Sequence, residues 1–275
     1  MKFLQFSETK KSLIEIYKRI KEFSDIEIMQ NSSDSIIAQF NILDSMAALP
    51  VEESFAIKLG NDPDLKPALQ KISRFRNLFN IKLELEHVNL ILNSNTPWKT
   101  VTNFTFYKNY LKLAEMEAEG ASLKKGDHIV FLGSGPLPLS LIILCKHYGL
   151  SGTGIEQNRD YANISKRAIN KLNMADKINF INGSHFDLPL QLKTKLIMIA
   201  AAAVPKQEIF THLCKVLNKG TKVSYRVYEK GFRKFLDVDP SMLNTNLDKI
   251  LGDGVEYRRI SPEPPVNNTC IFINM

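Results

Sequence analysis

Apolar positions follow two different patterns along this 275-residue chain. Up to about residue 120 they recur at three- and four-residue steps. Leu13, Ile16, Tyr17 and Ile20 form one series, and Ile36, Ile37, Phe40, Leu43 and Met46 form another. That spacing gathers apolar groups on one face of a helix. Breaks at Leu49-Pro50, Asn61-Asp62-Pro63 and Asn93-Ser94-Asn95-Thr96-Pro97 separate further helices, predicted over 65–79, 80–93 and 103–119. No strand alternation interrupts them, so residues 1–120 are predicted to be a helical N-terminal domain.

From 121 to 275 short apolar runs alternate with helical stretches. Strands are predicted over 128–133, 151–156, 177–182, 195–201, 221–227, 255–260 and 268–274, and helices over 136–148, 158–172, 205–217 and 231–236. Such alternation makes a mostly parallel sheet covered on both faces. The last two strands are joined by Ser261-Pro262-Glu263-Pro264-Pro265-Val266-Asn267, too short a link for anything but an antiparallel pair. The predicted class is therefore α/β: a Rossmann-like domain over 121–275 with a C-terminal antiparallel hairpin, preceded by the all-helical domain. That sheet ending is typical of S-adenosylmethionine-dependent transferases.

Composition narrows the picture. The net charge of +7 comes from lysines scattered over both halves, with no run of five or six. Scattered lysine marks a solvated surface more than a phosphate track, so nucleic acid is not an expected partner. No apolar run reaches the length of a membrane span, and the first residues lack a secretory apolar stretch. Cys145, Cys214 and Cys270 are far apart and odd in number, which points to reduced thiols and a cytoplasmic location. Cys145 and Cys214 are expected in core packing. The five histidines are dispersed, so no metal is expected.

Candidate chemistry starts at Gly133-Ser134-Gly135-Pro136, which follows an apolar strand and precedes an apolar helix. Glycines there let backbone approach a nucleotide. Pro138 stands where a dinucleotide fingerprint has its third glycine, which favours S-adenosylmethionine over NAD or FAD. Glu156 ends the second strand, placed for a ribose diol, with Gln157 beside it. Gly183 and Ser184 follow the third strand, where adenine contacts are expected, and Ala201 lies in a small-residue stretch after the fourth. The Asp/Asn-Pro-Pro-aromatic motif of base methylation is absent from that place. On a helical wheel Glu84 borders the apolar face of Ile81, Leu85, Val88 and Leu92, whereas Glu86 pairs with Lys82 on the polar side. A carboxylate beside apolar groups has a raised pKa and suits a general base; the alternative is a half-exposed helix-edge glutamate.

Three segments carry a family resemblance. Gly133-Ser134-Gly135-Pro136-Leu137-Pro138-Leu139 resembles the signature of nicotianamine synthases. Phe104-Thr105-Phe106-Tyr107-Lys108-Asn109-Tyr110-Leu111-Lys112-Leu113 resembles an aromatic segment of the same family, and Tyr225-Arg226 with Gly231-Phe232-Arg233-Lys234-Phe235-Leu236 resembles its late element. The resemblance implies transfer of the 2-aminobutanoyl group of S-adenosylmethionine, with release of 5'-methylthioadenosine. It implies that Tyr107 contacts substrate, so that Glu84, through Tyr107, is the candidate to take the acceptor's proton; Tyr110 and, at the carboxyl edge of the sheet, Arg226 are further candidate substrate contacts. By pattern alone Tyr107 is a core tyrosine and Arg226 equally suits a structural ion pair. Bacterial relatives take D-histidine on the way to opine metallophores such as staphylopine, and the low-GC composition of this chain favours that branch. Nicotianamine synthesis is the close alternative. An S-adenosylmethionine-dependent RNA methyltransferase and a non-catalytic binding scaffold are the alternatives of other classes. The partners expected are small molecules; a homodimer stays open. The helical domain is expected to cover the acceptor site.

Overall fold

The three- and four-residue spacing of the N-terminal half does become helix. In the computed structural model, which describes residues 5–31, 33–238, 257–263 and 266–275, α1 (Phe6–Ile20), α2 (Asp25–Gln30), α3 (Asp34–Ala47) and α4 (Glu53–Gly60) precede a long α5 (Lys66–Asn93). Sequence reading splits α5 near residue 80. No glycine or proline lies between 68 and 93, so nothing stops the helix there. Two short helices follow, α6 (Pro97–Thr102) and α7 (Tyr107–Ala121). The break read over Asn93–Pro97 falls between α5 and α6, and Pro97 opens α6, where its missing N–H costs nothing.

The remaining elements are β1 (His128–Leu132), α8 (Leu139–His147), β2 (Ser151–Glu156), α9 (Arg159–Lys171), β3 (Ile178–Asn182), β4 (Thr194–Ile199), α10 (Lys206–Val216), β5 (Lys222–Val227), α11 (Arg233–Leu236), β6 (Tyr257–Ile260) and β7 (Thr269–Asn274). The strands form one sheet in the order β3-β2-β1-β4-β5-β7-β6. The first five are parallel, and β7 is antiparallel to both β5 and β6. This is the sheet expected from the sequence. Of the predicted strand over 255–260, residues 255–256 lie outside the described residues, as do 264–265 of the final link.

Two compact units make up the chain: Met1–Leu83 with Tyr228–Asn244, and Glu84–Val227 with Thr245–Met275. The first is helical. Leu13, Ile16, Ile36, Phe40 and Leu43 are buried in it, and the rings of Phe40 and Phe79 stack 4.3 Å apart. The chain returns to it after β5. There Asp237 accepts a 2.7 Å hydrogen bond from Nε of the buried Arg76, and Phe232 packs near Phe55. The second unit holds the whole sheet together with α6, α7 and the part of α5 from Glu84 onward. It thus begins well before the residue-120 boundary read from the change of pattern. Val130, Leu132, Ile155, Ile197, Ile199, Phe210, Leu213 and Val223 form a core on one side of the sheet. No helix among the described residues is long and apolar enough to cross a membrane.

Candidate active site

The parallel strands place their carboxyl ends together, with Leu132 opposite Ile155 and Ile199, and Glu156 opposite Asn182. A sheet edge of this kind is where α/β folds bind ligands. The loop from β1 turns there through Gly133 and Gly135, at φ +72° and +69°. Both values are costly for any residue with a Cβ. The loop is also tightly walled. A Cβ on Gly133 would meet the Cβ of Ala203 at 3.0 Å, and one on Gly135 would meet Oε2 of Glu84 at 3.2 Å. The backbone stays non-helical through Pro138, so α8 starts three residues later than the sequence reading has it.

Glu156 clasps this loop. Its Oε2 accepts from the Gly135 N–H at 3.0 Å and its Oε1 from the Asn158 N–H at 2.9 Å. The residue is 8% exposed. Its carboxylate therefore organises the loop, whatever it offers a ribose. Ser165 on α9 completes the clasp, donating its hydroxyl to the carbonyls of Gly135 (2.9 Å) and Pro136 (3.0 Å). Ser134 is buried, and its hydroxyl has no partner among the described residues. A buried hydroxyl left so is an open polar contact at the loop.

The other predicted contacts vary. Gln157 is exposed, and its carbonyl accepts from the Asn182 side chain. Gly183 donates its N–H to the Glu156 carbonyl, and a Cβ there would strike Asp187. Ser184 and Asp187 cap the turn reciprocally. Ala201 is half-buried in the stretch after β4. Its neighbour Ala200 accepts a 2.5 Å hydrogen bond from Nζ of Lys206, a buried lysine whose pKa desolvation lowers to about 7.

Glu84 comes to this edge from α5. The wheel sets it at the border of an apolar face centred on Leu85. In the structure Val88 and Ile91 are fully buried and His87 nearly so, while Ile81, Leu85 and Leu92 are half-buried. The buried stripe is thus rotated, and Glu84 continues it. His87 belongs to that stripe: its ring meets the Thr100 carbonyl at 2.7 Å and packs on Phe104. Desolvation lifts the Glu84 carboxyl to a pKa of about 8, against the opposing pull of hydrogen bonds from the Tyr110 hydroxyl and the Leu137 N–H; the charge of Glu156 adds to the rise. Glu86 is exposed.

Tyr110, not Tyr107, is the aromatic partner of Glu84, with its hydroxyl 3.2 Å from Oε1. Tyr107 faces His147 at 3.4 Å. The two tyrosines are three residues apart but reach different neighbours, so the direct hydrogen bond to Glu84 comes from Tyr110 and not from Tyr107. Arg226 is likewise not an open guanidinium. It is 5% exposed and grips the fully buried Glu117 through Nε (3.0 Å) and Nη2 (2.6 Å), with Nη2 also on the Ser140 hydroxyl at 2.8 Å. The ion-pair alternative describes it. Glu117, Ser165 and Tyr161 have no motif in the sequence. For Ser165 and Tyr161 the one available signal is their four-residue spacing on the helix after Glu156. Cys145 and Cys270 are buried, while Cys214 is exposed and not in the core as expected. Among the described residues no group of three or more His, Cys, Asp or Glu is placed to hold a metal.

Comparisons with known proteins place the chain in a family. A family model described as "Nicotianamine synthase protein" matches residues 6–275. The chain is 27% identical over 210 residues to probable nicotianamine synthase 3 of Hordeum vulgare, covering 70% of this chain and 61% of that protein. It spans between 50 and 62% of the length of four Hordeum vulgare relatives that it matches. A crystal structure of MtNAS in complex with MTA and tNA superposes with a TM-score of 0.81 at 26% identity, covering 96% of this chain and 97% of that one. A glutamate-to-glutamine variant of MtNAS in complex with S-adenosylmethionine superposes at 0.80, also at 26% identity, with 97% of each chain covered. The chain belongs to the nicotianamine synthase family.

Proposed function

We propose that this protein transfers the 2-aminobutanoyl group of S-adenosylmethionine to the amino group of an amino acid. The single observation that carries the reading is Glu84: a desolvated carboxyl of pKa about 8, hydrogen-bonded to Tyr110 and beside the Gly133–Gly135 loop. The loop fits the donor, since two left-handed glycines, the unpartnered Ser134 hydroxyl and the Glu156 clasp leave polar backbone at the sheet edge. The relative solved with S-adenosylmethionine supports the same donor.

When bound, S-adenosylmethionine supplies the electrophile: the acceptor amine bonds to its γ-carbon as the γ-carbon–sulfur bond breaks, and the electron pair leaves on 5'-methylthioadenosine. The residues here manage the proton and the geometry. A nucleophilic amine must be unprotonated, and ionised Glu84 takes the proton. With a pKa of about 8, the carboxyl is mostly protonated at neutral pH before a donor binds. The positive charge of a bound donor lowers that pKa, so the base becomes competent as the site fills. Tyr110 donates to Oε1 and fixes the carboxyl's orientation. Holding nucleophile and donor in line supplies much of the acceleration.

The acceptor is D-histidine in this reading, consumed in one transfer toward a staphylopine-like metallophore. A nicotianamine synthase acting on further S-adenosylmethionine is the second reading, favoured by the names of the relatives. Incubation with S-adenosylmethionine alone, with D-histidine and with L-histidine, followed by mass identification, separates them. A histidine adduct only with the D enantiomer supports the first. An oligomer of aminobutanoyl units without histidine supports the second.

A further inference from the structure

We propose that Tyr161 is a donor-binding residue whose ring takes the positively charged sulfur centre of the donor. The proposal rests on the donor being S-adenosylmethionine. Tyr161 stands in the first turn of α9, and its N–H donates to the Asn158 side chain at 3.2 Å. Asn158 in turn is tied through its own N–H to Oε1 of Glu156. Four residues on, Ser165 touches the carbonyls of Gly135 and Pro136. Residues four apart share a helix face, so the face bearing Tyr161 is the one turned to the glycine loop. Because α9 runs back from the sheet edge, Tyr161 lies one turn nearer that edge than Ser165.

Its surroundings set the ligand's charge. Burial holds the phenol proton on, and the carboxylates of Glu156, Glu84 and Asp160 act in the same direction. Tyr161 is thus a neutral, half-buried ring within the field of Glu156, the acid that clasps the loop, and of Glu84 once that base is ionised. The sulfur must lie between the ribose end of the site and the base, because it joins the ribose to the carbon that the amine attacks. An aromatic face in a negative field at that point suits a sulfonium.

Two unreactive nucleosides isolate the charge. Sinefungin carries an ammonium where S-adenosylhomocysteine carries a neutral sulfur. Calorimetric titration of both into wild type, Tyr161→Leu and Tyr161→Phe reads the contact, with thermal melts as the folding control. Tyr161→Leu is expected to weaken sinefungin about 10-fold more than S-adenosylhomocysteine, and Tyr161→Phe to keep the wild-type ratio. An unchanged ratio in Tyr161→Leu, or a Tyr161→Phe as poor as Tyr161→Leu, overturns the ring contact while leaving the donor assignment intact. If wild type binds neither nucleoside, the donor assignment itself fails and this proposal falls with it.

Discussion

The Tyr110 hydroxyl lies 3.2 Å from Oε1 of Glu84, joining α7 to α5 at the mouth of the glycine loop. One consequence is a division of labour between two glutamates two residues apart. Glu84 is desolvated and Glu86 is exposed. Glu84→Gln is expected to slow turnover at least about 100-fold, the low end for general-base catalysis. Glu86→Gln is expected to be nearly silent. Steady-state kinetics of the pair checks this, and equal behaviour of the two variants contradicts it.

The raised pKa of Glu84 also has a sign. A base must be ionised to act, so kcat/KM is expected to climb with pH and level off above about 8, and Glu84→Gln should lose that limb. Stability runs the other way. The folded pKa lies above the unfolded value of 4.5, so the group's contribution is complete below about 4.5 and is lost as pH rises through about 8. Glu84→Gln cannot ionise. Relative to wild type it should therefore be more stable at pH 9 than at pH 5, by roughly 2–4 kcal/mol once solvent reaching a half-buried group is discounted. Denaturant melts at the two pH values measure the difference.

Glu156 is expected to matter for both loop and ligand. Its carboxylate accepts from Gly135 and Asn158, so Glu156→Ala leaves two N–H groups without their acceptor. Donor affinity should fall by about 1.5–3 kcal/mol, with a lower melting temperature. Calorimetry and a thermal melt read the two effects. A variant with wild-type affinity contradicts the clasp.

Arg226 is expected to stabilise the fold. Arg226→Met strands the buried Glu117 charge and should cost about 3–5 kcal/mol, most of it recovered when Glu117→Leu is added. A rise in KM for the acceptor with stability unchanged would instead give Arg226 the substrate role that its place at the end of β5 suggests.

The sheet was legible because its apolar runs and short loops leave few alternatives, and the Gly133–Leu139 string marks the turn at the carboxyl end of β1 by its residues alone. Glu84 was legible as an acid beside apolar groups. Its true place on the buried stripe was not, because His87, a polar residue, supplies part of that stripe through the Thr100 carbonyl. The choice between Tyr107 and Tyr110 was beyond periodicity, since residues three apart share a face and only tertiary packing decides which one meets Glu84. Arg226 could be read two ways because its partner Glu117 lies over a hundred residues away, with no pattern linking them. The boundary between the units was hidden for a similar reason: α7 looks like the helices before it, yet it belongs with the sheet.

The most direct test of the account is the nucleoside left after turnover. Purified protein incubated with S-adenosylmethionine and D-histidine, followed by chromatography of the mixture, distinguishes attack at the γ-carbon from attack at the methyl group. The Glu84-centred site predicts 5'-methylthioadenosine, formed with wild type and nearly absent with Glu84→Gln. S-adenosylhomocysteine as the sole nucleoside product would contradict aminobutanoyl transfer and assign the glycine loop to a methyltransferase.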